Sequence, residues 1–560
     1  MIGLALGLIL WCPAIAGLGI VVRWVSGDGD FRRNCRPTPL DAIAGYLTLA
    51  VVAIGLNFFI PLGRTAAAGV LVIGWLLLAL SAGSSLWPTS RDLRRWATVV
   101  VVASIVCAQP VHYNYDAALY HLQTMKWLQE SVLPTGLANL HGRFGYNSAW
   151  LTIAALVRDP FDRTPLAHAI LLPATAIVFT GIACLRLIAT RKYDRLDSRV
   201  ALTGLLSLAS GSLIAALGSP AQDVVVLAAW LIGITLLAKA IESPTDELRI
   251  VRSLIWIAAL GTIVKLSAAP LWFLPLAAVV RSRAHLRLGS LRGAALVAFI
   301  GIGFWSMRAT AVSGCVVYPA AATCVPGLPW QVNPQKVRWE AQAIIAWARA
   351  PGDDSAQLAA SSAWIRPWAS RVLQDGDVRI ALALLGAALL SLRLGARVSV
   401  DVWKQFAWLS ASAFLAIGYW LLTAPDPRFV AGPIIAIGVS AMATIGYAAW
   451  SRSKTQALPR AVWALVVIAW FPSALELAQA MTRPLRNPGI RILLADPWPI
   501  MMKTPRMGIS LTARGDTVWR PFRSTDDQCF IAPLPCAPYS VDGLEIIRDA
   551  AGRITSFRRP

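Results

Sequence analysis

Side chains able to do chemistry concentrate in residues 112–127 (HYNYDAALYHLQTMKW) and 139–147 (NLHGRFGYN), which hold three of the five histidines. Asp116 stands here among Tyr115, Tyr120, His121 and Gln123, with His141, Arg143 and Asn147 shortly after. A carboxylate just beyond the end of an apolar run, where water meets lipid headgroups, is placed to act as a general base. At helical spacing Asp116, Tyr120 and Gln123 share one face, while Leu119, Leu122 and Trp127 suit a helix lying on a bilayer. Asp is also a favoured helix N-cap, and the two roles of Asp116 are compatible. His121 and His141 lack a fixed metal-ligand spacing and read as hydrogen-bonding groups, so no metal ligand is assigned.

A second set of charged residues occurs where a chain in lipid avoids charge unless it faces a cavity. Asp223 opens an apolar run, Lys265 separates two short ones, Arg308 lies near the end of another, and Asp426 and Arg428 sit in the turn PDPRF at 425–429. Each alone is explained by snorkelling or a local ion pair. Together they describe a polar site of two carboxylates and three cations, suited to an anionic headgroup such as a phosphate.

The elements that must position these residues follow from composition. The chain has 560 residues, 57% hydrophobic and 14% charged, with mean hydropathy +0.60, which excludes a single soluble core. Apolar runs near 1–22, 41–62, 65–87, 96–111, 165–186, 200–218, 222–241, 253–265, 268–281, 293–312, 378–394, 405–423, 428–450 and 460–480 approach the ~20 residues that cross a bilayer. Backbone polar groups must pair within each span, so the expected fold is all-α and polytopic, with about 14 transmembrane helices. The first run lacks a basic n-region and reads as a retained segment. Residues 148–157 read as a re-entrant or interfacial element. The resulting organisation is 1–110 spans, 111–164 a polar loop with interfacial helices, 165–312 a transmembrane core, 313–377 a second loop, 378–480 further spans and 481–560 a tail.

The net charge of +22 falls in short connectors between spans, a positive-inside pattern rather than a nucleic-acid stripe. That places 112–164, 313–377 and the tail on the outer face. Two close cysteine pairs, Cys315/Cys324 and Cys529/Cys536, fall in these same segments, where disulfides persist. Trp330, Trp339, Trp347, Trp364 and Trp368 belong to an interfacial aromatic belt or stack on sugar rings. In the tail, Trp519, Phe530 and Tyr539 bind an acceptor or cap the site.

In these residues the chain resembles the GT-C superfamily of polytopic glycosyltransferases, including protein O-mannosyltransferases and lipid A aminoarabinose transferases. Asp116 and 117–147 resemble the acidic first outer loop and its interfacial helices. Asp223 resembles the later Asp opening a span, Thr262 to Lys265 the "tK" between short helices, and Arg428-Phe429 ahead of Pro433 the "RY/RF" element. YDxxLYHLQxxKW, NLHGRxGxNS, PDPRF and DQCxxxPLPCxPY also resemble an uncharacterised bacterial membrane-protein family over nearly the whole length. The superfamily resemblance implies transfer of a sugar from a polyprenyl-phosphate-linked donor to a glycan, lipid or protein acceptor at the outer face of the bacterial cytoplasmic membrane. Asp116 would be the catalytic residue, membrane lipids the surroundings, and nucleic acid no partner. The loop carries one carboxylate where the superfamily has an acidic pair, which leaves a divalent metal ion open. Rival readings are a transporter or flippase of lipid-linked saccharides, and a non-catalytic envelope-assembly protein.

Overall fold

The structure is a computed structural model that describes residues 2–27, 39–82, 90–107, 115–158, 165–190, 195–207, 220–243, 246–282, 288–352, 355–395, 398–452, 475, 507–512, 514–521, 528–539 and 541–559. The protein is mostly helical, as the continuous apolar runs require. Among the described residues seven helices are long and apolar enough to cross a membrane: Gly3–Val25, Leu40–Asn57, Arg64–Ser81, Asp223–Glu242, Gly289–Ser313, Val400–Leu422 and Pro427–Ala449. Helices also form at the expected runs near 96, 165, 253 and 378, as Ser90–Cys107, Pro165–Thr190, Glu247–Val264 and Gly376–Gly395. The run at 460–480 lies outside the described residues except Leu475, as does most of 200–218.

Small residues let the first helices pack backbone to backbone. A Cβ added at Gly17 would overlap the carbonyl of Gly74, and one at Gly45 that of Ile15. Arg23 and Asp41 form a buried ion pair at 3.0 Å at one end of this bundle. Removing one partner of such a pair costs about 3–5 kcal/mol. The candidate site lies at the opposite end.

Ala149–Leu156 is buried at every position, packed against Leu40–Asn57 and Leu122–Glu130. Its eight residues reach only ~12 Å, so it does not span and is enclosed by protein. The expected bilayer-lying helix near 117–130 is corrected more strongly. Leu119, Leu122 and Trp127 are at most 3% exposed. They face protein: Leu122 packs into the core of the helix bundle, and the tail covers the other two, where Leu119, Tyr120, Trp127, Leu137, Leu140 and Phe144 share a core with Val518, Leu544, Ile546 and Phe557. Each large side chain so buried contributes roughly 1.5–3 kcal/mol.

The tail adds strands to the helical architecture that the sequence predicts and the structure shows. It forms two antiparallel hairpins, Met507–Leu511 with Thr517–Pro521 and Glu545–Arg548 with Ile554–Arg558. The second docks on the 135–139 loop, where the Thr135 amide donates to Thr555 O and the Phe557 amide to Thr135 O. Gly136, at φ +68°, fits here because a Cβ would overlap the Phe557 carbonyl.

Candidate functional site

Asp116 precedes a π-helical turn, Ala117–His121, in which the Leu122 amide donates to Ala117 O. That widened winding, a feature often found at functional sites, departs from the 3.6-residue period that placed Asp116, Tyr120 and Gln123 on one face. Asp116 does not cap the turn through its side chain. Instead Arg143 Nη1 donates to Asp116 Oδ1 at 2.9 Å, and Arg428 Nη1 donates to Oδ2 at 3.3 Å.

Arg428 is held from its own turn. Asp426 N-caps the helix Pro427–Ala441, accepting from the Arg428 amide at 3.0 Å and from Arg428 Nε at 3.3 Å, with Pro427 at the first helical position. The Trp420 indole fixes this turn by donating to Asp426 O. Lys265 stands where Glu247–Val264 ends in extended backbone, and a 3₁₀ segment, Leu266–Trp272, begins. Its ammonium pairs with Asp223, the first residue of the helix Asp223–Glu242. Lys265 Nζ also lies 4.2 Å from the Phe429 ring centroid, and the Arg428 guanidinium 5.6 Å from it. Three cations and three carboxylates thus meet at the ends of separate helices, linked by Phe429.

Burial alone would raise the Asp116 carboxyl, but the surrounding positive charge of Arg428, Arg143 and Lys265 holds it below its ordinary value, and His121 would add to this only when protonated. Asp116 is therefore ionised at neutral pH. Burial pushes His121 down to about 4 and His141 to about 3, so both are neutral imidazoles. Their ring nitrogens are buried, without hydrogen-bond partners among the described residues. Tyr120 is raised by burial and by Asp116, so it keeps its proton.

Of the expected site residues, Asp116, Tyr120, His121, Arg143, Asp223, Lys265, Asp426 and Arg428 come together. Three do not. Gln123 is fully buried, with both amide hydrogens donated to tail carbonyls. Asn147 and Arg308 bond to each other, and Asn147 also exchanges hydrogen bonds with Trp305, so Arg308 braces a loop beneath the site. His141 packs on Phe144 and Tyr539, and Tyr115 is half exposed at the edge with its carbonyl accepting from Gln528. Cys315–Cys324 and Cys529–Cys536 are disulfides.

Two participants were not among the expected site residues. Phe429, which carries no charge, was marked only by the resemblance of Arg428-Phe429 to the RF element. Glu340, from the helix Pro334–Arg349, accepts a hydrogen bond from Tyr146 and so extends the network beyond Arg143. Nothing local in the sequence distinguishes Glu340 from an ordinary solvated acid. Trp330 donates to Thr310 O and Trp368 to Pro425 O, tying the second loop to helix ends, whereas Trp339 and Trp347 are exposed. Among the described residues no group of three or more His, Cys, Asp or Glu is arranged to hold a metal ion. The site carboxylates instead face cations.

The chain belongs to the family described as a domain of unknown function (DUF8201), whose model matches residues 1–435. The matched stretch contains Asp116, Arg143, Asp223, Lys265, Asp426 and Arg428, and ends before the tail. No curated protein and no solved structure matches the chain.

Proposed function

We propose that this membrane protein is a glycosyltransferase that moves a sugar from a polyprenyl-phosphate-linked donor to a cell-envelope acceptor, a glycan, lipid or protein, at the outer face of the cytoplasmic membrane. The observation that carries the reading is the convergence of Asp116, Arg143, Arg428 and Lys265 at one end of an apolar helix bundle. A lipid-borne anion arrives laterally at such a site, with its tail among the helices and its phosphate at their ends. Polar groups gathered at one end favour chemistry there over passage through the bundle.

Arg428 is the most exposed of the three cations, at 48%, and its contacts to Asp116 and Asp426 are both 3.3 Å. A donor phosphate draws it from Asp116 Oδ2 and leaves that oxygen facing the acceptor, while Arg143 continues to hold Oδ1. The acceptor hydroxyl oxygen then bonds to the anomeric carbon as the bond from that carbon to the phosphate oxygen breaks. The bonding pair leaves on the phosphate, stabilised by Arg428 and Lys265, and the hydroxyl proton passes to Asp116. Drawing Arg428 away also makes Asp116 more basic, because a neighbouring positive charge has been diverted.

Phosphate recognition is tested by binding of a fluorescent polyprenyl phosphate to the protein in nanodiscs. Arg428→Gln and Lys265→Gln should each weaken binding about tenfold or more, the value of roughly one charge-assisted contact. Binding that is unchanged in both variants removes the basis for the reading.

A further inference from the structure

The region recognised as the family ends at residue 435, yet the segment that carries Asp116 is gripped by a loop almost one hundred residues later. Gln123 Nε2 donates to Phe530 O at 3.1 Å and Ala532 O at 3.0 Å. Lys126 Nζ donates to Ile531 O at 3.3 Å and Ala532 O at 2.9 Å. In return the Phe530 amide donates to Ala118 O, within the π-helical turn, at 2.9 Å. Gln528 Nε2 reaches Tyr115 O, directly before Asp116, at 3.2 Å.

The loop is shaped for this grip. The Cys529–Cys536 disulfide closes it, and both cysteines are buried beside Met507 and Trp519. Phe530 adopts φ +48°, a left-handed conformation costly for a bulky side chain. That conformation lets one residue offer its amide to Ala118 and its carbonyl to Gln123. Backbone exchanges between Trp519 and the Pro535 carbonyl and Ala537 amide fasten the loop to the first tail hairpin.

We propose that the disulfide-closed loop Gln528–Cys536 positions Asp116, with Gln123 and Lys126 as the side chains through which it acts. The loop sets the π-helical turn, and the turn sets the carboxylate between Arg143 and Arg428. The tail is then a working part of the site, and reduction of its disulfide releases the carboxylate from its clamp. Placement of Asp116 by this loop stands whether or not the carboxylate acts on a sugar.

The test reads the Asp116 carboxyl in full-length protein in nanodiscs. Carbodiimide coupling of glycine ethyl ester to Asp116 is followed by mass spectrometry as a function of pH, alongside deuterium uptake of 117–126. Cys529→Ala/Cys536→Ala and Gln123→Met should each move the Asp116 midpoint upward, toward an ordinary carboxylate, and speed exchange at 117–122. Exchange in Asp223–Glu242 should stay as in wild type. Reduction of the wild-type chain should reproduce the shift and reoxidation reverse it, which keeps the test valid if a variant fails to fold. The same reduction should add nothing in Cys529→Ala/Cys536→Ala, separating this disulfide from Cys315–Cys324. An Asp116 profile unchanged after the Cys529 and Cys536 thiols are shown to be free overturns the proposal.

Discussion

Replacing Arg143 with glutamine should cost more than replacing Arg428, although both hold the same carboxylate. Arg143 meets Asp116 at 2.9 Å with side chains 33% and 22% exposed, whereas Arg428 meets it at 3.3 Å and is 48% exposed. Unit charges ~4 Å apart attract by about 4 kcal/mol at an effective dielectric of 20. Solvent screening and side-chain entropy reduce this to roughly 1–2 kcal/mol for the Arg143 arm and about 0.5–1 kcal/mol for the Arg428 arm. The sign with pH follows from Asp116, whose carboxyl is held low in the folded state. Its stabilisation is present above the unfolded carboxyl value and disappears as pH falls through the folded one. Losing Arg143 raises the folded value, so Arg143→Gln should lower the melting temperature at pH 7 more than Arg428→Gln. It should also raise the pH at which the Asp116 carboxyl protonates. Thermal unfolding in nanodiscs measures the first, and infrared titration with Asp116→Asn subtracted measures the second. A larger loss from Arg428→Gln, or an unmoved Asp116 band in Arg143→Gln, would refute the clamp as described.

Other outcomes follow from neighbouring geometry. Gly145→Ala would set a Cβ 2.7–3.0 Å from the Tyr318 ring, so overpacking should cost about 1–3 kcal/mol in thermal unfolding. His121 is held neutral down to about 4 against an ordinary 6.5. The unfolded chain therefore binds its proton first, and stability should fall as pH drops from about 6.5 toward 4. His121→Gln should flatten that slope in pH-dependent melting curves. Opening Cys315–Cys324, nine residues apart in sequence, should cost roughly 2–3 kcal/mol, read as a lower melting temperature and faster proteolysis within 313–332.

The helical class and the presence of a charged site were legible because apolar run length and the rarity of charge in lipid are local properties of a sequence. Asp223 opening a helix, Lys265 in a break and Asp426 in a turn all follow from that reasoning. Which charges meet is not local: Asp116 pairs with Arg428 across 312 positions, and no spacing rule reports it. Gln123 was misplaced because the face argument assumed an ordinary α-helix, and one π-helical turn changes which side chains align. Arg308 looked like a site cation by depth, but depth does not give direction, and its guanidinium turns to Asn147. Leu119, Leu122 and Trp127 are apolar enough for lipid. Leu122 meets the helix bundle instead, and for Leu119 and Trp127 the tail's hairpins, written four hundred residues later, decide that they meet protein.

The central claim is most directly tested by asking whether the Asp116 carboxylate is needed for turnover of a lipid-linked sugar. In cells lacking the protein, wild-type and Asp116→Asn chains matched for membrane insertion are compared by mass spectrometry of polyprenyl-linked sugars and surface glycans. The wild type should clear the accumulated lipid-linked sugar, and Asp116→Asn should leave both pools as in the deletion. Full restoration by Asp116→Asn would contradict the assignment of catalysis to this carboxylate.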